Sequence, residues 1–142
     1  MPPLDLKSKP SARGRIIAAA LAVGVASVIF YLSSIPGSGY PSHPNFLNVV
    51  AHFLEYATLA ALLTLALNSP RRKLWQSALL AVLIASLYAA SDEFHQFFVP
   101  GRHCDPMDWL TDTAGALVGA MLTIWWIAAR RVRASRKRDN QP

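Results

Sequence analysis

Residues 107–129 read MDWLTDTAGALVGAMLTIWWIAA. Asp108 and Asp112 stand near the start of this stretch, and no charge follows them to its end. A bilayer core of about 30 Å is crossed by about 20 helical residues. The segment therefore reads as a transmembrane helix that enters lipid with two carboxylates still attached. Three more apolar stretches of comparable length precede it. Residues 16–34 carry no charge, 46–67 carry only His52 and Glu55, and 74–90 run uncharged into Asp92. Lipid offers the backbone no hydrogen-bond partner, so spans of this kind are helical. The expectation is an all-α, four-helix transmembrane bundle over residues 15–130. It is flanked by a disordered cytoplasmic tail at 1–14 and a disordered, basic cytoplasmic tail at 131–142. A cleaved signal peptide is the alternative for the first stretch. Its apolar run is too long for a signal core, however, and SSIPGSGYP offers no small-x-small cleavage site.

The basic residues fix an expected orientation. Thirteen of the 14 lysines and arginines lie before span one, between spans two and three (Arg71, Arg72, Lys73) or after span four. Only Arg102 falls on the other side. The positive-inside rule then places both termini in the cytoplasm, in a multi-pass protein of the inner (cytoplasmic) membrane. Trp75, Trp125 and Trp126 fall at the inner ends, and Tyr40 and Trp109 at the outer ends, as interfacial aromatics do. The net charge of +6 flanks apolar spans, so it reads as orientation and attraction to anionic lipid, with no nucleic-acid partner. Cys104 is the sole cysteine, which excludes an internal disulfide.

The acidic residues follow the opposite rule. Asp5 and Asp139 lie in the tails, while Glu55, Asp92, Glu93, Asp105, Asp108 and Asp112 all map to the outer half. His52, Glu55 and Tyr56 share one helix face, and Asp92, His95 and Gln96 repeat that spacing on span three. On span four Asp108 and Asp112 continue into Gly115 and Gly119, a small-xxx-small pattern that admits a close neighbour. Ionisable groups at membrane depth usually face a bundle interior. The expected site is an outward-opening polar pocket of His52, Glu55, Tyr56, Asp92, Glu93, His95, Gln96, Arg102, Asp105, Asp108 and Asp112. Bland roles stand beside this one: Asp105 as a turn residue before Pro106, Asp108 as a helix-start acid, Glu93 in headgroup water, and His52–Glu55 as a structural interhelical bond. His43 and His103 read as surface residues.

HFLEYATLAALL and SDEFHQFFVPGRHCDPMDWLTDTAGALVG resemble the two signature blocks of the VanZ-like membrane proteins, a family named for a protein linked to teicoplanin resistance. The matching positions are His52, Phe53 and Tyr56, then Asp92, Glu93, Gln96, Pro100, Gly101, Arg102, Asp105, Asp108, Gly115 and Gly119, over about residues 46–122. Asn48 and Val49 stand where the family often has Asp-Lys, and Asp112 where it often has Asn. The resemblance implies a small bacterial envelope protein. With the pocket, it leads to binding or remodelling of an envelope-related amphiphile, a lipid or cell-wall-related ligand, with an effect on glycopeptide sensitivity. In that reading Arg102 either latches Asp105 or Asp108 or grips a ligand phosphate or carboxylate through its planar fork.

The alternative function is a membrane-embedded acid/base or metal-dependent hydrolase at the outer leaflet. No established metal or nucleophile spacing supports it, since His-Phe-Leu-Glu lacks the second histidine of the zincin helix. No cofactor or metal is expected. A proton-coupled carrier is a third class, disfavoured by four spans without inverted repeats unless the chain forms a homo-oligomer.

Overall fold

The computed structural model describes residues 11–37 and 46–139. Tyr40, His43 and the entry to span two at Asn45 lie outside the described residues, as do most of the 1–14 tail and the last three residues. Four helices follow in order: α1 (Ala12–Ser33), α2 (Phe46–Leu67), α3 (Leu74–Gln96) and α4 (Pro106–Asp139). Each is long and apolar enough to cross a membrane, and no strand occurs among the described residues. This is the four-helix membrane bundle expected from the sequence.

The helix starts are chemically marked. Ser11 Oγ accepts from Gly14 N at 3.1 Å, satisfying one of the orphan donors of a helix start. Gln76 Oε1 accepts from Lys73 N at 3.0 Å to open α3. Asp105 Oδ1 accepts from Met107 N at 2.8 Å at the start of α4, with Pro106 in the first helical position, where its missing N–H costs nothing.

Helix α4 does not stop where the apolar run stops. It continues through the basic segment to Asp139, although a disordered tail is expected from composition. No glycine or proline lies between Ala120 and Asp139 to end it, and its basic residues are compatible with helix. At about 1.5 Å per residue its 34 residues outrun an apolar core of about 30 Å.

The interior is built from small residues and the exterior from large ones. Ala78, Ala81, Ala85 and Ala89 are buried along α3, Ala116 and Ala120 on α4, Ala60 on α2, and Ala18 and Ala22 on α1. Leu54, Leu83, Leu87, Met121 and Leu122 are exposed, the arrangement suited to lipid contact. Lipid tails remove the hydrophobic force between helices, so association depends on close packing and polar bonds. The closest approach lies between α2 and α4. A Cβ on Gly115 would run into the Phe53 carbonyl, and one on Gly119 into the Ala57 carbonyl.

Helix α2 also packs on α1 and α3, which puts it at the centre of the bundle. Cross-links from α1 fix the register. Arg15 Nε donates to Ala66 O at 3.1 Å at one end, and Tyr88 on α3 donates to Ala26 O at 2.7 Å farther along.

Gly119→Ala should destabilise the protein by about 1–3 kcal/mol, the range for overpacking a tight contact. Gly24→Ala, where a Cβ meets nothing within 4 Å, should leave stability unchanged or slightly higher. Unfolding in mixed micelles, followed by circular dichroism, compares the two; equal effects would mean that α2 and α4 are not held this closely.

Candidate functional site

The small-residue stripes change character at one end of the bundle. On α3 the buried face of Ala81, Ala85 and Ala89 continues into Asp92, Glu93 and Gln96, which are 3%, 4% and 3% exposed. On α4 Asp112 is fully buried one turn beyond Gly115 and Ala116. On α2 the corresponding position is Tyr56, also 0% exposed. Three carboxylates and a phenol thus occupy the interior of this acidic end.

Their hydrogen bonds account for only part of their polar atoms. Asp112 Oδ1 lies 3.2 Å from His52 Nδ1, a pair that joins α4 to α2. Asp92 Oδ2 accepts from Ser33 Oγ at 2.7 Å and from Gln96 Nε2 at 3.1 Å. Glu93 Oε2 accepts from Asp105 N at 2.8 Å. The second oxygen of each carboxylate (Asp92 Oδ1, Glu93 Oε1, Asp112 Oδ2) is buried without a partner, and so is Tyr56 Oη. Buried polar atoms almost always have partners, and an unmatched one costs about 1–3 kcal/mol, more when charged. Tyr56 lies within electrostatic reach of Asp92, Asp112 and Glu93, so the four groups form one cluster.

Half-buried residues surround it. Glu55 lies within electrostatic reach of His52, Asp112 and Asp92. Asp108 is similarly placed toward His52, Asp105 and Arg102.

The other expected site residues have mainly structural partners. Asp105 caps α4 with its side chain and bonds Glu93 with its backbone. His95 faces α1: its ring stacks on Phe30 at 4.6 Å, and its Nε2 lies 3.0 Å from Ser34 Oγ. Arg102 donates from Nε to Ile35 O at 3.2 Å and from Nη2 to Leu32 O at 2.9 Å. Those carbonyls lie in the last turn of α1 and just past its end, where acceptors lack a full set of intrahelical donors, so the planar fork closes a helix terminus. Arg102 also lies within electrostatic reach of Asp108. Gly101, at φ +76°, supplies the left-handed turn that brings Arg102 round, and it packs against the Gly37 backbone.

Helix α1 is the wall that the sequence reading left out. Ser33 and Ser34 bond Asp92 and His95, yet as two serines at the end of an apolar run they resemble a span boundary. Glu93, for which headgroup water is one expectation, is buried instead. Among the described residues, no three His, Cys, Asp or Glu side chains are gathered closely enough to hold a metal ion.

A family model described as VanZ/LLP1 matches residues 15–128. No curated protein and no solved structure matches the chain.

The His52–Asp112 link predicts energetic coupling. A double-mutant cycle with His52→Ala and Asp112→Asn should give a coupling of about 0.5–3 kcal/mol in unfolding free energy. Additive effects would mean that the two side chains do not pair in the folded bundle.

Proposed function

The chain belongs to the VanZ/LLP1 family, and from that premise we propose that its acidic end binds or remodels an envelope-related amphiphile through the polar head of that molecule. The observation that supports this most is the set of four buried oxygens without partners, Tyr56 Oη, Asp92 Oδ1, Glu93 Oε1 and Asp112 Oδ2. Three belong to carboxylates, which accept hydrogen bonds when ionised. The complementary head is therefore one that donates: an ammonium group or a set of hydroxyls. A phosphate or carboxylate head suits the site less well, because Arg102 spends two of its donors on α1 carbonyls. An effect on glycopeptide sensitivity would follow from competition for, or alteration of, such an envelope molecule.

The His52–Asp112 pair favours the catalytic alternative to a limited degree. A carboxylate on Nδ1 orients the imidazole and leaves Nε2 as an acid or base, the arrangement a hydrolase would need.

Binding in nanodiscs separates these readings. An alkyl amphiphile with an amine head should bind at least tenfold more tightly than one of equal chain length with a sulfonate head. Asp92→Asn and Asp112→Asn should each remove most of that difference, because losing a buried charged partner costs about 2–5 kcal/mol. Equal affinity for both heads would sink the binding proposal, and turnover of an ester-headed analogue that depends on His52 would favour the hydrolase.

The proposed orientation, with both termini cytoplasmic and the acidic end outward, rests on the distribution of lysine and arginine. Cys104 is exposed in the loop of the acidic end, so a membrane-impermeant maleimide should label it in intact cells. Desolvation, reinforced by the negative charge of Glu93 and Asp105, holds its thiol above the ordinary value. The thiolate is the reactive form, so labelling should be slow near neutral pH and accelerate as pH rises. Labelling only after the membrane is opened would reverse the orientation.

A further inference from the structure

The opposite end of the bundle holds a second feature, unrelated to the acidic cluster. A cavity of about 370 Å³ lies between the start of α1, the end of α2 and the far part of α4. Asn68, Trp126, Arg130 and Arg131 are among its lining residues. It shares Leu65 and Trp126 with a larger groove of about 500 Å³ that runs along the α2–α4 seam past Leu62, Ala61 and Gly119. The groove is almost wholly apolar, lined by leucines and alanines, with Thr58 and Thr123 as its polar exceptions. The two spaces together are long, greasy along one stretch and cationic at one end.

Among the described side chains, the cationic end meets no carboxylate. Arg131 Nε is buried and has no hydrogen-bond partner. The Arg130 guanidinium lies over the Trp126 ring, 4.4 Å from its centre, which leaves its N–H edges available. Every acidic side chain described in the bundle (Glu55, Asp92, Glu93, Asp105, Asp108, Asp112) belongs to the other end. A guanidinium remains charged at any physiological pH and matches the geometry of phosphate oxygens. Basic pockets between transmembrane helices bind anionic lipid heads in this way.

We propose that this cavity and groove hold an anionic glycerophospholipid. Its phosphate lies against Arg131 and Arg130, with the buried Asn68 as a neutral neighbour, and one acyl chain runs along the α2–α4 groove. The apolar continuation argues for a lipid over free phosphate, and the paired arginines argue for it over an apolar partner helix. The site is independent of the proposed ligand of the acidic end and of the orientation of the chain.

The test uses the full chain in phosphatidylcholine nanodiscs with increasing phosphatidylglycerol, counting the lipids retained in native mass spectrometry. Wild type should retain one phosphatidylglycerol. Arg131→Gln should weaken retention about tenfold, the scale of one charge-assisted hydrogen bond. Ala61→Phe, which fills the groove, should weaken phosphatidylglycerol retention but not the binding of inorganic phosphate. Arg136→Gln, farther along α4, should behave as wild type. If Arg131→Gln does not fold by circular dichroism, Arg130→Gln takes its place with the same expected loss. The proposal is overturned if the arginine variant retains phosphatidylglycerol as wild type does, if Arg136→Gln loses as much, or if inorganic phosphate competes as well as lipid.

Discussion

The contact on which the bundle depends is that between the α2 backbone and α4 at Gly115 and Gly119. With hydrogen in place of Cβ, α4 lies against the Phe53 and Ala57 carbonyls, a separation that no larger residue permits. The same approach sets the polar chemistry. Asp112 is three residues before Gly115 and His52 one before Phe53, so the helices that meet through glycine also deliver the His52–Asp112 pair. Lipid supplies no hydrophobic force between helices, and steric fit and this polar bond therefore share the work of association. The alanine stripe of α3 extends the arrangement, because side chains that small allow Asp92 and Glu93 to be carried inward at its end.

Sorting of charge along the bundle gives it two chemically opposite ends. At the acidic end, carboxylates outnumber the nearby cations, and Arg102 is drawn to α1 carbonyls. At the basic end, Arg131 is partly buried with no described carboxylate to meet it. Neither end is balanced by the described side chains, so each suits a complement from outside them. The proposed donor-bearing head would complement one and the proposed anionic phosphate the other. The length of α4 strengthens the asymmetry, since continuation through the basic segment holds those charges on an ordered helix.

Much of this was legible in sequence, because helical periodicity is strict. The spacing of His52 with Tyr56, of Asp92 with Gln96 and of Asp112 with Gly115 and Gly119 placed each set on one face, and the structure turns those faces inward. What could not be read was partnership with the backbone. Beside its readings as a ligand grip or an acid latch, Arg102 donates to the Leu32 and Ile35 carbonyls, acceptors that leave no mark in a sequence. The role of Ser33 was hidden for a related reason. A serine that ends an apolar run and a serine that meets a buried aspartate look alike until helix register is known. Composition suggested disorder for 131–142, whereas the described part of that segment continues the helix to Asp139.

These structural assignments also bear on the proposed ligand binding. Arg102 and Asp105 both have bonds that hold the 97–105 loop to α1 and α3, so the loop reads as a clasp. The oxygens without partners sit on α2, α3 and α4, elements whose relative positions are fixed by close packing. A site carried on such helices is preorganised, and little ordering cost is left for a ligand to meet. Specificity would then be changed through helix positions, with the loop left intact. The departures expected from the resemblance fall in those places: Asn48 and Val49 in the first turn of α2, and Asp112 inside the cluster. Asp112 places a carboxylate beside His52, adding an acceptor to an end already short of donors. That shift in balance is the physical reason to seek its ligand among molecules that donate.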